Sequence, residues 1–153
     1  MKKLIFLLFT FLLVINSKAQ SDIYDGKVIK ILDENVILIK DKSNKLNKVF
    51  LAGIKTPSTK QPYYKETHEF IAKEILNKKV RVFINSRENY KAYAWINYDE
   101  KSLYEELLTE GLAWINKKQL NNGFVDAMQD GAMREKIGVW SLDDDKNPAL
   151  IIP

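Results

Sequence analysis

Carboxylates are where chemistry has to be sought first in a chain of 153 residues with one histidine and no cysteine. Asp33 and Glu34 are adjacent, with Asp25 upstream, and grouped carboxylate oxygens are what a hard cation takes as ligands. The same residues have the composition of a polar turn, so as metal candidates Asp33 and Glu34 compete with a plain connection. Asp143-Asp144-Asp145 lacks the spaced ligands and glycine of a calcium loop and reads as a solvated acidic turn. His68, between Thr67 and Glu69, has no second His and no Cys to complete a site, and reads as a helix-face residue. Tyr90, Tyr93, Trp95 and Tyr98 are dense enough to stack bases, or to pack a strand against helices. Without cysteine the chain has no thiol for catalysis, disulfides, metal ligation or lipid attachment.

Charge sorts the partners. The chain holds 24 Lys and Arg against 20 Asp and Glu. Met1-Lys2-Lys3 followed by the uncharged apolar run Leu4 to Ile15, with small residues at Ser17 and Ala19, is the pattern of a signal peptide cleaved before Gln20. A dozen apolar residues fall short of the roughly 20 that span a bilayer. Losing Lys2, Lys3 and Lys18 leaves 21 basic against 20 acidic residues in an exported product of about 134 residues, periplasmic or extracellular. Its two parts differ: Gln20 to Tyr98 carries 15 basic and 9 acidic residues, Asp99 onward 6 and 11. The basic part permits a polyanion-binding face and is equally consistent with an ordinary lysine-rich surface. Candidate contacts to a polyanion are Lys55, Lys60, Lys91, Tyr93, Lys117 and Lys118.

Positioning such residues takes a scaffold, and the periodicities supply one. Lys27 to Leu32, Val36 to Lys40 and Lys48 to Ile54 read as three strands joined by polar turns. Tyr64, Thr67, Ile71 and Ile75 share a helix face. Val80 to Ile84 and Tyr90 to Asn97 read as further strands, with Lys91, Tyr93 and Trp95 on one face and Ala92, Ala94 and Ile96 on the other. Ser102 to Glu105 is a capping-box pattern opening a helix with Leu103, Leu107 and Leu108 inward, and Gly111 ends it. A third helix spans Phe124 to about Ile137, Gly138 closes it, and Trp140 returns to the core. The expected class is mainly β with α: a five-stranded OB-type barrel with three helices over residues 20–142, then a tail from Asp143 to Pro153.

One segment, Val49-Phe50-Leu51-Ala52-Gly53-Ile54-Lys55-Thr56-Pro57-Ser58, resembles the signature strand of the staphylococcal-nuclease (thermonuclease) family, which reads like RLxGIDxPE. The turn after strand one, AYAWI at Ala92 to Ile96, GLAWI at Gly111 to Ile115 and EKIGVWS at Glu135 to Ser141 continue the resemblance in order, from about Lys27 to Ser141. It implies the OB-type barrel. It also implies a reaction that uses carboxylate-held Ca²⁺, an activated water and two arginines on the phosphate.

The chemical positions of that pattern are changed here. The family's second turn carboxylate falls on Asn35, the signature Asp on Lys55 and the proposed base on Ser58. One arginine falls on Phe50 and the other on Lys91, and the base-stacking aromatic pair falls near Lys117 and Gln119. Lys55 puts an ammonium where a dication would sit, a repulsive arrangement, and is expected near Asp33 or Glu34 as an internal counter-cation. The expectation is a catalytically degenerate, monomeric binding module needing no cofactor, with single-stranded nucleic acid, another polyanion or a protein as partner. After signal cleavage it would be free of the membrane. The alternative is a weak or metal-altered phosphodiesterase using Asp33, Glu34 and Lys91, with Ca²⁺ required only in that case.

Overall fold

A computed structural model describes residues 22–33, 35–120 and 123–151. The expected signal segment and Glu34 lie outside these residues. Strand β1 (Ile23–Asp33) is long enough to serve two neighbours. Its first half pairs antiparallel with β5 (Lys79–Glu88), with Asp25 opposite Arg81 and Lys27 opposite Lys79. Its second half pairs with β2 (Val36–Asp41), with Lys27 opposite Lys40 and Ile31 opposite Ile37. Gly26 sits where both pairings overlap, and a Cβ there would stand 2.6 Å from the Ile39 side chain and 2.8 Å from the Lys40 carbonyl. Close backbone approach is what glycine permits in a strand.

Strand β3 (Leu46–Leu51) follows β2 antiparallel, and β5 pairs with β6 (Lys91–Tyr98). The parallel pair β3–β6, with Phe50 opposite Tyr93, closes the sheet into a five-stranded barrel. Period-two alternation fills it. Val28, Ile37, Ile39, Val49, Val82, Ala94 and Ile96 point inward and are fully buried, while the lysines between them point out. Ala92, Ala94 and Ile96 share a face, as the alternation predicts.

The expected strand Lys48 to Ile54 is two strands, not one. β3 stops at Leu51, Gly53 turns the chain at φ 76°, and Ile54–Lys55 form β4. β4 pairs with β8 (Trp114–Ile115) in a small second sheet. The apolar run does not reveal this break because residues on both sides of it, Val49, Leu51 and Ile54, are buried alike.

Helix α1 (Tyr64–Ile75) buries Thr67, Ile71 and Ile75, and the Thr67 hydroxyl donates to the Leu112 carbonyl at 3.1 Å. A two-residue strand, β7 (Lys101–Ser102), leads into α2 (Leu103–Thr109), which buries Leu103, Leu107 and Leu108. Ser102 is its N-cap residue but makes no side-chain capping bond, so the capping-box expectation fails at its defining contact. Helix α3 (Gly123–Glu135) packs against α2 and ends before a short 3₁₀ turn, Gly138–Ser141. Gly111 (φ 61°) and Gly138 (φ 59°) abut backbone to backbone: a Cβ on Gly111 would stand 2.2 Å from the Ile137 carbonyl oxygen. Val139 N–H donates to the Gly111 carbonyl at 2.9 Å.

Candidate nucleic-acid interface

The barrel brings three of the changed positions, Asn35, Phe50 and Lys91, together. Asp33 and Asn35 lie at the turn from β1 to β2, and the Asn35 carbonyl accepts from Leu51 N–H at 2.9 Å. That bond ties the turn to β3 one residue beyond Phe50. Phe50 stands opposite Val36 on β2 and Tyr93 on β6, on the outer face of all three strands.

The ring of Phe50 is surrounded by cations and a second ring. Lys91 Nζ lies 5.2 Å from its centroid and Lys48 Nζ 5.5 Å, and the Tyr93 ring is 5.6 Å away at 42°. Cation–π contacts of this geometry contribute about 0.5–1 kcal/mol each at exposed sites. Both ammonium groups remain exposed while the rings are half-buried. The surface therefore offers positive charge around a flat apolar patch, which suits a phosphate backbone beside its bases.

Tyr90 precedes Lys91 in the chain. It occupies the two-residue turn between β5 and β6 at φ 64°, with Asn89 at 47°, and its side chain is fully exposed. Paired positive φ values mark the hairpin geometry that matches strand twist. The other two rings of that sequence cluster have structural duties. Trp95 packs against Tyr104 with centroids 6.2 Å apart, and the buried Tyr98 donates its hydroxyl to Glu74 at 3.2 Å.

The remaining candidates lie on other segments of the chain. Lys55 is exposed on β4, and among the described residues no ion pair includes it. Ser58 and Lys60 are exposed in the loop before α1, where Ser58 N–H donates to Gln61 Oε1 at 2.7 Å. In the loop after β8, Lys117 forms an ion pair with Asp126 of α3, while Lys118 is exposed. Gln119 is structural: its Oε1 accepts from Gly53 N–H at 3.3 Å. His68 is half-buried with its ring 6.3 Å from Tyr64. Lys48 was missed by motif reasoning, although its place two residues before Phe50 on an alternating strand puts both on one face.

Carboxylates do not gather here. Among the described residues, no group of three or more His, Cys, Asp or Glu side chains could hold a metal ion. The carboxylates most strongly shifted lie elsewhere on the barrel. Asp25 is held down to about 2 by the hydrogen bond from Arg81, then that from Lys42. Asp41 is held at about 2 by hydrogen bonds from Ser43 and Asn47.

Comparison with known proteins agrees with the barrel. A family model described as "Staphylococcal nuclease homologue" matches residues 48–142. A thermonuclease of Staphylococcus hyicus is 30% identical over 129 residues, covering 75% of this chain and 75% of that protein. A protein of Haemophilus influenzae named as an uncharacterized endonuclease is 27% identical over 123 residues, 80% of this chain and 67% of that protein. An Escherichia coli protein with the same description is 26% identical over 125 residues, 80% of this chain and 81% of its own length.

Proposed function

The chain belongs to the staphylococcal nuclease family, and from that premise we propose that it binds single-stranded nucleic acid without cutting it. The observation that carries this reading is the Phe50 patch. A forked guanidinium at that position would grip a phosphate through two parallel hydrogen bonds. Phe50 instead offers a ring flanked by Lys48, Lys91 and Tyr93, which favours contact with a base while point charges attract the backbone. Tyr90 on the adjacent turn provides a second exposed ring.

Calcium fits this set of residues poorly. Ca²⁺ prefers six to eight oxygen ligands, several of them anionic. Asn35 supplies a neutral amide, Ser58 a hydroxyl and Lys55 a cation, so these positions lack the anionic oxygens that would hold the ion. An exported location is part of the proposal and rests on the pattern of Met1 to Ala19. The experiment is a pair of assays on the purified chain: fluorescence anisotropy with a labelled oligothymidylate across salt concentrations, and incubation of denatured DNA with Ca²⁺, Mg²⁺ or Mn²⁺. Binding that weakens with salt, with no chelator-sensitive cleavage, is the expected result. Binding that ignores salt, or none, would overturn it.

A second reading is favoured by the names of the relatives, which are thermonuclease and endonuclease. It is a weak or metal-altered phosphodiesterase in which Asp33 and Glu34 hold the cation and Lys91 stabilises the phosphate. Cleavage lost on adding chelator and in Asp33→Ala would establish it in place of the first.

A further inference from the structure

We propose that a row of unpaired lysines winding across the outside of the barrel carries the phosphodiester backbone of a single strand away from the Phe50 patch, through contacts on β3, β2, β1 and β5. This rests on the reading of the patch as a nucleic-acid contact and adds the path the strand takes.

The strand registers define the path. From Lys91 on β6 it crosses to Phe50 and Lys48 on β3. Lys48 faces Leu38, and Lys40, two residues on, faces Leu46, so Lys48 and Lys40 are diagonal neighbours, about 7–8 Å apart. Lys40 then stands directly opposite Lys27, and Lys27 directly opposite Lys79. Three lateral steps of about 4.8 Å and one diagonal of about 7–8 Å trace about 22 Å over the barrel surface.

Two observations mark the row as more than a solvated surface. Like charges directly abreast on neighbouring strands destabilise a sheet, yet Lys40, Lys27 and Lys79 stand three abreast. None of these three, nor Lys48 or Lys91, belongs to an ion pair among the described residues. All five are exposed. Nearby carboxylates are already engaged: Asp25 by Lys42 and Arg81, Asp41 by its own loop at Ser43, Lys45 and Asn47, and Asp99 by Lys78. Exposed Glu88, opposite Lys91, and Glu100 flank the two ends.

The far end also has a shape. An open depression of about 760 Å³ is lined by Lys27, Lys40, Lys42, Lys79, Arg81 and Phe83, with the carboxylates of Asp25, Asp41, Asp99 and Glu100 on the same wall. With Asp25, Asp41 and Asp99 engaged by their own partners, Lys27, Lys40 and Lys79 are the cations left there for a phosphate.

The test measures the anisotropy of labelled dT12 against the full chain and three variants over a salt series. Lys27→Gln/Lys40→Gln/Lys79→Gln is expected to weaken binding at least tenfold and to lower the salt slope by about 2, from about 0.7 per phosphate contact on a single strand. Phe50→Ala is expected to weaken binding with the slope unchanged. Lys65→Gln/Lys73→Gln/Lys136→Gln, which removes the same charge elsewhere, is expected to leave affinity within twofold. If the first variant binds like wild type while Phe50→Ala does not, the lysine path is wrong and the patch stands. If both lysine variants weaken binding equally, general charge and not a path is responsible, and the proposal falls. If the first variant weakens binding while Phe50→Ala and the control variant both bind like wild type, the path stands and the patch does not. If wild type fails to bind, both readings fall.

Discussion

Across the parallel pair β3–β6, the ammonium of Lys91 lies 5.2 Å from the centroid of the Phe50 ring. The two positions that the family resemblance assigns to a pair of phosphate-gripping arginines are thus coupled to each other as cation and ring. Lys91 keeps the charge of its position and loses the fork; Phe50 keeps neither and supplies a surface.

Removing that surface should be felt in binding. Phe50→Ala is expected to weaken affinity for oligothymidylate by about 1–3 kcal/mol, the range for one stacked base. Titration of both proteins at one salt concentration checks it, and equal affinities would remove Phe50 from the interface.

Restoring two carboxylates should recreate a cation site. Asn35→Asp combined with Lys55→Asp is expected to give measurable heat of Ca²⁺ binding by calorimetry, where wild type gives none, because it exchanges an amide and an ammonium for anionic oxygens. An absence of heat in the double variant would mean that Lys55 does not occupy a vacated metal position.

The lysines abreast should cost stability. Lys27→Gln removes the centre of the Lys40–Lys27–Lys79 row and is expected to stabilise the fold by about 0.2–1 kcal/mol in urea denaturation. The gain should shrink at high salt as screening takes over. A destabilised variant would show that the lysine stem matters more than its charge.

The Gly111–Gly138 contact leaves no room for a methyl group. Gly111→Ala would place a Cβ 2.2 Å from the Ile137 carbonyl oxygen at φ 61°. The expected loss is about 2–5 kcal/mol, joining left-handed strain to overpacking. Denaturation midpoints measure it, and a loss under about 1 kcal/mol would mean the contact relaxes easily.

Acid should act through Asp25. Its carboxyl is held at about 2 by the hydrogen bond from Arg81 first and that from Lys42 second. A carboxyl depressed in the folded state contributes stability that is complete above its unfolded pKa, near 3.9, and is lost as pH falls through about 2. Arg81→Gln is expected to raise the Asp25 titration toward its ordinary range and to make the loss of stability between about pH 4 and pH 2 shallower. Following the Asp25 carboxyl by NMR checks the first half, and an unmoved midpoint would sink it.

Much of the fold was legible in the sequence, for a physical reason. Alternation in Lys91 to Asn97 and the Thr67, Ile71, Ile75 spacing follow directly from which side chains a barrel must bury, and both are found as read. The division of Lys48 to Ile54 was not legible, because the kink at Gly53 depends on a partner, β8, more than fifty residues away. Ser102 had the letters of a cap but not the bond, since a cap depends on how the preceding strand delivers the chain. At the site, substituted letters at Asn35, Phe50, Lys55, Ser58 and Lys91 could be named from the motif. Their new company could not: Lys48 beside Phe50, and Lys27 beside Lys40 and Lys79, are neighbours only once register is set.

The abutment of Gly111 and Gly138 bears on synthesis. The carbonyl of Gly111 accepts from Val139, so one bond at the end of α2 waits for a segment made long after it. During translation the barrel strands and α2 would emerge with their last latch still inside the ribosome. Until residues 138–139 are clear that bond cannot form, and the delay is a window in which a chaperone can meet the end of α2 before it is latched.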